Sequence, residues 1–377
     1  MFKSLRSIFG ELQFFRGNQY PGFVTACCPE QLLASSITVF MFHTVEPQTF
    51  EAQLKYLQRN HYQVLDADQL YMFLQERVPL RSPGVMLTFD DGERSLYQTA
   101  YPLLKKYSMK AVAFLVPGRI RDDRGSQDQG LKQWLTWQEV REMQASGYVD
   151  MQSHTMDHER IFTGPQLLDF LQPGQYDDDL RLDMPTVLDD YGKPLQSWEP
   201  GTPIYTFDSR MGDAPRYLDS VGRRRACIEH VRNQGGSRFF QQSGWKCELH
   251  TVWKKAQSAE NIEKYESVFD QRNAIYTSLK ASRDVLEERL QKPVRHVAFP
   301  WCRVGKLARV LSQAAGYTTN FLGPIPGKPL VRPGCDPFSI PRIKDDYLFR
   351  LPGKGRHSLF RVFGRKLIRR MYKKDIY

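Results

Sequence analysis

Val85-Met86-Leu87-Thr88-Phe89-Asp90-Asp91-Gly92 is the stretch on which the fold turns. Val85–Phe89 reads as a strand, and it ends in two adjacent carboxylates and a glycine. The same pattern extends upstream. Ile37–Phe42 is a six-residue, mostly apolar run that suits a fully buried strand, with His43 at its end. Helical patterns follow at Phe50–Asn60 and at Gln69–Glu76, the second behind Asp66 and Asp68. Downstream, a helix at Ser95–Tyr107 leads to a strand at Ala111–Val116. Thr136 and Glu139 form a capping box that opens a helix ending near Gly147. A strand at Tyr148–Gln152 then delivers Ser153-His154. Strands alternating with helices predict a parallel sheet whose chemistry lies at the carboxyl ends of its strands.

The alternation stops at about Glu159 and resumes after Asp270. Residues 159–270 are rich in Pro, Gly, Asp and aromatics, with Tyr176-Asp177-Asp178-Asp179 and Gly235-Gly236 before Phe239-Phe240. A structureless loop of that length is improbable, so the segment is expected to be an inserted subdomain or lid. A long helix at Gln271–Gln291, a strand at Arg295–Phe299, a helix at Gly305–Ala315 stopped by Gly316, and a strand at Thr318–Leu322 complete the pattern. The expected organisation is an N-terminal segment (1–35), an α/β body (36–158 and 271–345), the insertion (159–270) and a tail (346–377).

The chain has 377 residues, 41% hydrophobic and 25% charged, which excludes a disordered, collagenous or coiled-coil chain. The formal net charge of +11 invites a nucleic-acid or membrane reading, but it is concentrated at the ends. Residues 353–377 hold nine Lys/Arg against one Asp, and the body is nearly neutral. The six cysteines (Cys27, Cys28, Cys227, Cys247, Cys302, Cys335) form no CxxC pair, which favours reduced thiols and a cytoplasmic setting. No 18-residue apolar run is present, and the basic, aromatic start is a poor secretory signal.

Three strand ends carry the chemistry: Asp90-Asp91, His154 with His158, and Phe299-Pro300-Trp301. Two His spaced i, i+4 can lie on one face of a helical turn and share a metal. A carboxylate from another strand completes three protein ligands and leaves a position open. Adjacent carboxylates can divide the work, one holding the metal and the other taking a proton from the attacking water. Each motif alone is common, since Asp-Asp-Gly after a strand is usually a turn.

Thr88-Phe89-Asp90-Asp91-Gly92 resembles the TFDDG motif of the polysaccharide deacetylases, the carbohydrate esterases of family four with a NodB homology domain. His154-Thr155-Met156-Asp157-His158 resembles their HTxxH motif, and Phe42-His43-Thr44-Val45 resembles the YHxV box of the branch containing the poly-N-acetylglucosamine deacetylases. The likeness covers roughly residues 36–158 and 282–342. It implies an irregular (β/α) barrel and a metal-dependent hydrolase that removes N-acetyl groups from a cell-surface polysaccharide or its lipid-linked precursor. It further implies Asp91, His154 and His158 as ligands of a divalent metal and Asp90 as general base. Zinc is the default for such ligands, and iron, cobalt or nickel also suit them. Ala298-Phe299-Pro300-Trp301-Cys302 resembles the third motif, which implies Trp301 as the oxyanion's backbone N–H donor and places Phe299 and Trp301 on the substrate side. Arg342, in Asp336–Arg342, is expected to reach the site as a substrate contact.

The chain departs from the family where an Arg usually orients the base. Ala298 stands there, which leaves Arg295, Arg303 or nothing. Cys302 replaces a usual Gly, so the backbone there is expected to be strained or the turn to differ. The usual late motif supplying the general acid is not evident, which nominates His43, with His357 the weaker candidate. Ser358–Lys374 reads as a basic amphipathic helix with Phe360, Phe363, Leu367 and Met371 on one face, suited either to an anionic inner-membrane surface or to docking on the barrel. Competing functions are an amidase on a non-sugar C–N bond and a catalytically impaired glycan-binding protein. Nucleic-acid binding lacks any recognition motif.

Overall fold

The computed structural model describes residues 20–26, 33, 35–76, 79–122, 133–174, 184–189, 191–195, 198–256 and 264–371. Cys27, Cys28, most of the N-terminal segment, Tyr176–Asp179 and everything after Met371 lie outside them. Along the chain come β1 (Ile37–Phe42), α1 (Pro47–Arg59), β2 (Gln63–Val64), α2 (Ala67–Glu76), β3 (Gly84–Phe89), α3 (Tyr101–Tyr107), β4 (Ala111–Leu115), α4 (Trp137–Ala145) and β5 (Val149–Ser153). The expected Ser95–Tyr107 helix is split. A π-helical turn at Leu96–Ala100 precedes α3, because Pro102 has no N–H for a continuous helical ladder and fits only a first turn. The Thr136–Glu139 capping box is present in both directions.

Residues 160–265 form β6 (Arg160–Phe170), β7 (Pro203–Ser209), β8 (Tyr217–Leu218), α5 (Val221–Asn233), α6 (Trp245–Lys255) and β9 (Lys264–Tyr265). β6 and β7 pair as an antiparallel ribbon, and β8 pairs with β9. Aromatics supply the core here, with Phe162, Tyr205 and Tyr217 in one cluster and Phe170, Phe239 and Leu249 in another. Charged side chains tie this unit down beside the body. Arg210, almost wholly buried, grips Glu266 with both ends of its guanidinium (2.5 and 2.8 Å), and Arg216 joins Glu159.

The chain then returns through α7 (Val268–Leu290), β10 (His296–Ala298), α8 (Lys306–Ala314), β11 (Thr319–Phe321), β12 (Ile343–Lys344) and α9 (Leu359–Met371). The strands of the main sheet run in the order β11-β10-β5-β4-β3-β1-β12, with β2 on the start of β3, and every pair is parallel. Residues 340–344 bring the two edges together. Ile340 exchanges hydrogen bonds with β11, and Ile343 sits opposite Phe40 of β1. The register staggers the strand ends: Phe42 pairs with Phe89, Phe89 with Ala113, Leu115 with Ser153, and Ser153 with Val297. His43 and Asp90 therefore leave the sheet level with each other, and His154 and Phe299 leave it further along. Phe42 stacks on Phe89 at 5.0 Å, and Phe50 of α1 meets both edge-on beneath these ends.

α9 packs on the body through part of its surface. Val362 and Lys366 are buried, Lys366 reaching Asp346 at 3.2 Å, whereas Phe360 is 88% exposed. Part of the terminal basicity is thus structural: Arg356 likewise donates to the Phe23 carbonyl at 2.7 Å.

Candidate active site

Asp90 follows β3, and its backbone N–H donates to the Phe42 carbonyl at 3.0 Å, which fixes the strand end against β1. Asp91 then turns into the left-handed region (φ 70°) and Gly92 follows it (φ 90°). His154 continues β5, donating its N–H to Leu115 at 2.7 Å. Its Nδ1 lies 2.8 Å from the Ala298 carbonyl. A carbonyl only accepts, so Nδ1 carries a proton, and in the neutral ring Nε2 is the nitrogen with the lone pair. That Nε2 lies 3.4 Å from Asp91 Oδ1, and His158 Nε2 lies 3.3 Å from the same oxygen. All three residues are buried, and their ligand atoms fall within 4.8 Å of one another.

The His pair is not on a helical turn, contrary to the spacing argument. Thr155 (φ 67°) and His158 (φ 53°) are both left-handed, and the segment between them is an irregular bend. Trp301 (φ 51°) and Cys302 (φ 57°) are left-handed as well. With Asp91, five of the eight non-glycine residues at positive φ among the described residues surround this one site. Each such conformation costs an L residue about 1–2 kcal/mol. Strain concentrated in this way persists only where the surroundings enforce it, as at functional sites. At Cys302 the enforcement is visible, because a Cβ added at Gly323 would stand 2.6 Å from the Cys302 Cβ. The cysteine fits because position 323 is glycine.

Burial alone would raise the Asp91 carboxyl, but His158, His154 and His43 outweigh it and hold it far below the usual range. Burial pushes His158 down to about 3, and Asp91 only partly opposes this. An ionised carboxylate and neutral imidazoles are the protonation states that bind a divalent cation. The donor set therefore fits the metal, with Asp91, His154 and His158 as holders. Adding Zn²⁺ to chelator-treated protein is expected to stabilise it by about 2.7 kcal/mol at one hundred times its Kd. Thermal unfolding checks this, and a shift that survives in Asp91→Ala would place the metal elsewhere.

Arg342 ends on Asp90. It is fully buried, with Nη1 2.6 Å from Asp90 Oδ1 and 3.3 Å from the Thr88 hydroxyl, and Nε donating to the Leu322 carbonyl. It is therefore the arginine that orients the carboxylate rather than a substrate contact. Neither residue expected for that task reaches the site: Arg295 lies 3.5 Å from Asp68 and Arg303 3.9 Å from Asp208. Burial raises the Asp90 carboxyl, but the Arg342 and His154 charges and the Arg342 hydrogen bond overcome it, so the net direction is down. Phe299, expected on the substrate side, is fully buried in the core. His43 is part-exposed, with Nε2 4.0 Å from Asp91, and burial holds it below the usual imidazole range. Trp301 packs on His158, ring centroids 4.1 Å apart. His357 stacks on Phe349 near α9 and has no place in the site.

A buried hydroxyl group of contacts went unread in the sequence. Ser153 Oγ lies 2.7 Å from Ser282 Oγ of α7, and the Tyr317 hydroxyl donates to Ser153 at 2.8 Å. Ser153 also accepts the Thr155 N–H, which props the bend between the two histidines. Only the position of Ser153 before His154 hinted at it.

Residues 77–198 match the family model for polysaccharide deacetylase, a span that holds Asp90, Asp91, His154 and His158. The match covers about a third of the chain and agrees with the resemblance carried by the motifs. The chain is 33% identical over 132 residues to YxkH of Bacillus subtilis (strain 168), a protein named for polysaccharide deacetylation, covering 33% of this chain and 44% of that one. It is 30% identical over 116 residues to the poly-beta-1,6-N-acetyl-D-glucosamine N-deacetylase of Staphylococcus aureus (strain MSSA476), covering 30% and 38%. The chain thus spans less than half the length of these relatives. A de-N-acetylase from Aggregatibacter actinomycetemcomitans superposes with a TM-score of 0.52 at 18% identity, covering 87% of this chain and 99% of that one. The BpsB deacetylase domain from Bordetella bronchiseptica gives 0.53 at 16% identity, covering 84% and 99%. These two likenesses carry the deacetylase fold. The parallel sheet closed through residues 340–344 is the (β/α) barrel fold of these structures.

Proposed function

We propose that the chain is a metal-dependent N-deacetylase acting on an amino sugar of a cell-surface polysaccharide or its lipid-linked precursor. The observation that carries this reading is Asp90, held by Arg342, beside three converging ligands, Asp91, His154 and His158. The Staphylococcus aureus relative, by its name, supports an N-acetylglucosamine glycan as substrate. When bound, the metal, zinc by preference for two imidazoles and one carboxylate, supplies Lewis-acid polarisation of the acetyl carbonyl and lowers the pKa of water.

The chain's own residues do the rest. Asp90 takes the proton of the attacking water, and Arg342 keeps its carboxylate ionised and aimed. The Trp301 N–H donates to the oxygen where negative charge develops. His43 passes a proton to the amine as the C–N bond breaks, leaving acetate and a free amino sugar. Acetate release from N-acetylglucosamine oligomers, with and without chelator, tests the reading. Release abolished by chelator and restored by Zn²⁺ is expected. Metal binding without release from any N-acetylated glycan would favour a glycan-binding protein, and release only from a non-sugar amide would favour an amidase.

The cytoplasmic side of an anionic membrane is the proposed place of work. The four described cysteines with assigned states, Cys227, Cys247, Cys302 and Cys335, are free, which suits a reducing compartment. No helix among the described residues is long and apolar enough to cross a membrane. Phe360 and Ile368 stand exposed on α9, opposite Val362 and Lys366, with Arg361 and Arg365 beside them. Apolar side chains flanked by cations suit a bilayer of anionic lipid. Flotation with anionic but not neutral vesicles is expected, and unchanged flotation after removal of residues 358–377 would refute the helix's role.

A further inference from the structure

Trp301 is held from outside the barrel. Its indole meets His158 at 4.1 Å, and the Arg160 guanidinium lies 4.1 Å from the centre of its ring. Arg160 is the first residue of β6, and the same guanidinium lies 5.3 Å from the Phe207 ring on β7. A file of His158, Trp301, Arg160 and Phe207 therefore runs from a candidate metal ligand into the inserted ribbon. A tryptophan in the left-handed region needs contacts that select that conformation. Cys302 has room for its own because position 323 is glycine. For the indole, one such contact is the Arg160 cation over its ring, which attracts through the ring quadrupole and strengthens as water is excluded.

We propose that Arg160 is a positioning residue. By pinning the Trp301 indole against His158, it fixes the Trp301 backbone N–H and makes the insertion part of the active site. The role of that N–H rests on the deacetylase reading, whereas the pinning does not. Two measurements separate them. In protein labelled with 5-fluorotryptophan, the Trp301 fluorine resonance is identified by its loss in Trp301→Phe. That line is expected to shift and broaden in Arg160→Met, which keeps an apolar stem without charge, and to return toward wild type in Arg160→Lys. In acetate release, Arg160→Met is expected to lower kcat about tenfold, with KM changed less than about twofold, and Arg160→Lys to recover most of it. An unchanged fluorine line in Arg160→Met overturns the proposal. So does a loss confined to KM, which would make Arg160 a substrate contact. Wild-type protein that releases no acetate fails the deacetylase reading, and the fluorine line then still decides the pinning.

Discussion

Asp90→Asn is expected to lower acetate release by about 10³–10⁴-fold, the upper range for a lost general base. Asn keeps the shape of Asp and a partner for Arg342, but it cannot take a proton from water. The substitution also removes the counter-charge of a guanidinium with no exposed surface. Breaking such a buried pair costs about 3–5 kcal/mol of stability. Activity must therefore be measured well below the lowered Tm, so that unfolding is not mistaken for lost chemistry. Metal affinity is the internal control, because Asp91, His154 and His158 are untouched. A variant that still binds Zn²⁺ with wild-type affinity, yet releases no acetate, isolates the base. One that retains activity within tenfold of wild type would move the proton transfer to another group, with His43 the nearest candidate across Asp91.

What could be read from the chain follows physical range. Val85–Phe89, Ala111–Leu115 and the capping box at Thr136 announce themselves because their signals are local: continuous burial and a reciprocal cap three residues apart. Asp91 and His154 were legible as candidate ligands for the same reason, since each closely follows a strand whose register the sheet enforces. Arg342 was visible as a residue but not in its task, because its partner is 252 positions away and the two meet only when residues 340–344 close the barrel. Arg295 and Arg303 were nearer in sequence to the third motif, yet β10 sends one toward Asp68 and the other toward Asp208. On α9, periodicity found an amphipathic helix and left open what its apolar face meets. Hydrophobic spacing has no means of seeing the pair between Lys366 and Asp346 that draws a lysine inward. The HxxxH spacing placed two imidazoles together correctly in space by a mistaken route, a helical turn, where the chain uses two left-handed residues.

Arg342→Met is expected to be destabilising and nearly inactive at neutral pH, for a reason its pH dependence exposes. Burial pushes the Asp90 carboxyl up, and it is chiefly Arg342 that brings it below its unfolded value. A carboxylate depressed in the folded state contributes stability above its unfolded pKa, and that stability is lost as pH falls through the folded value. Without the guanidinium the burial effect is left to dominate and the sign reverses. Stability from this group is then present below the unfolded pKa and lost as pH climbs through the raised folded value. The variant should lose about 3–5 kcal/mol at neutral pH and less in acid, whereas wild type weakens in acid. In kinetics the acidic limb of kcat/KM should move to higher pH, because the base must ionise before it can act. Activity should fall by about 10²–10⁴-fold at pH 7 and rise as the pH is raised. Methionine fills much of the vacated space beside Phe114 and Cys302, so a cavity does not account for the loss. Combining Arg342→Met with Asp90→Asn removes both charges. Stability should recover relative to either single variant, while activity stays lost, since an ion pair replaced as a whole leaves no stranded charge. Chemical denaturation of the four proteins at two pH values checks the cycle. An Arg342→Met protein with wild-type stability and an unmoved acidic limb would show that Asp90 is oriented without it.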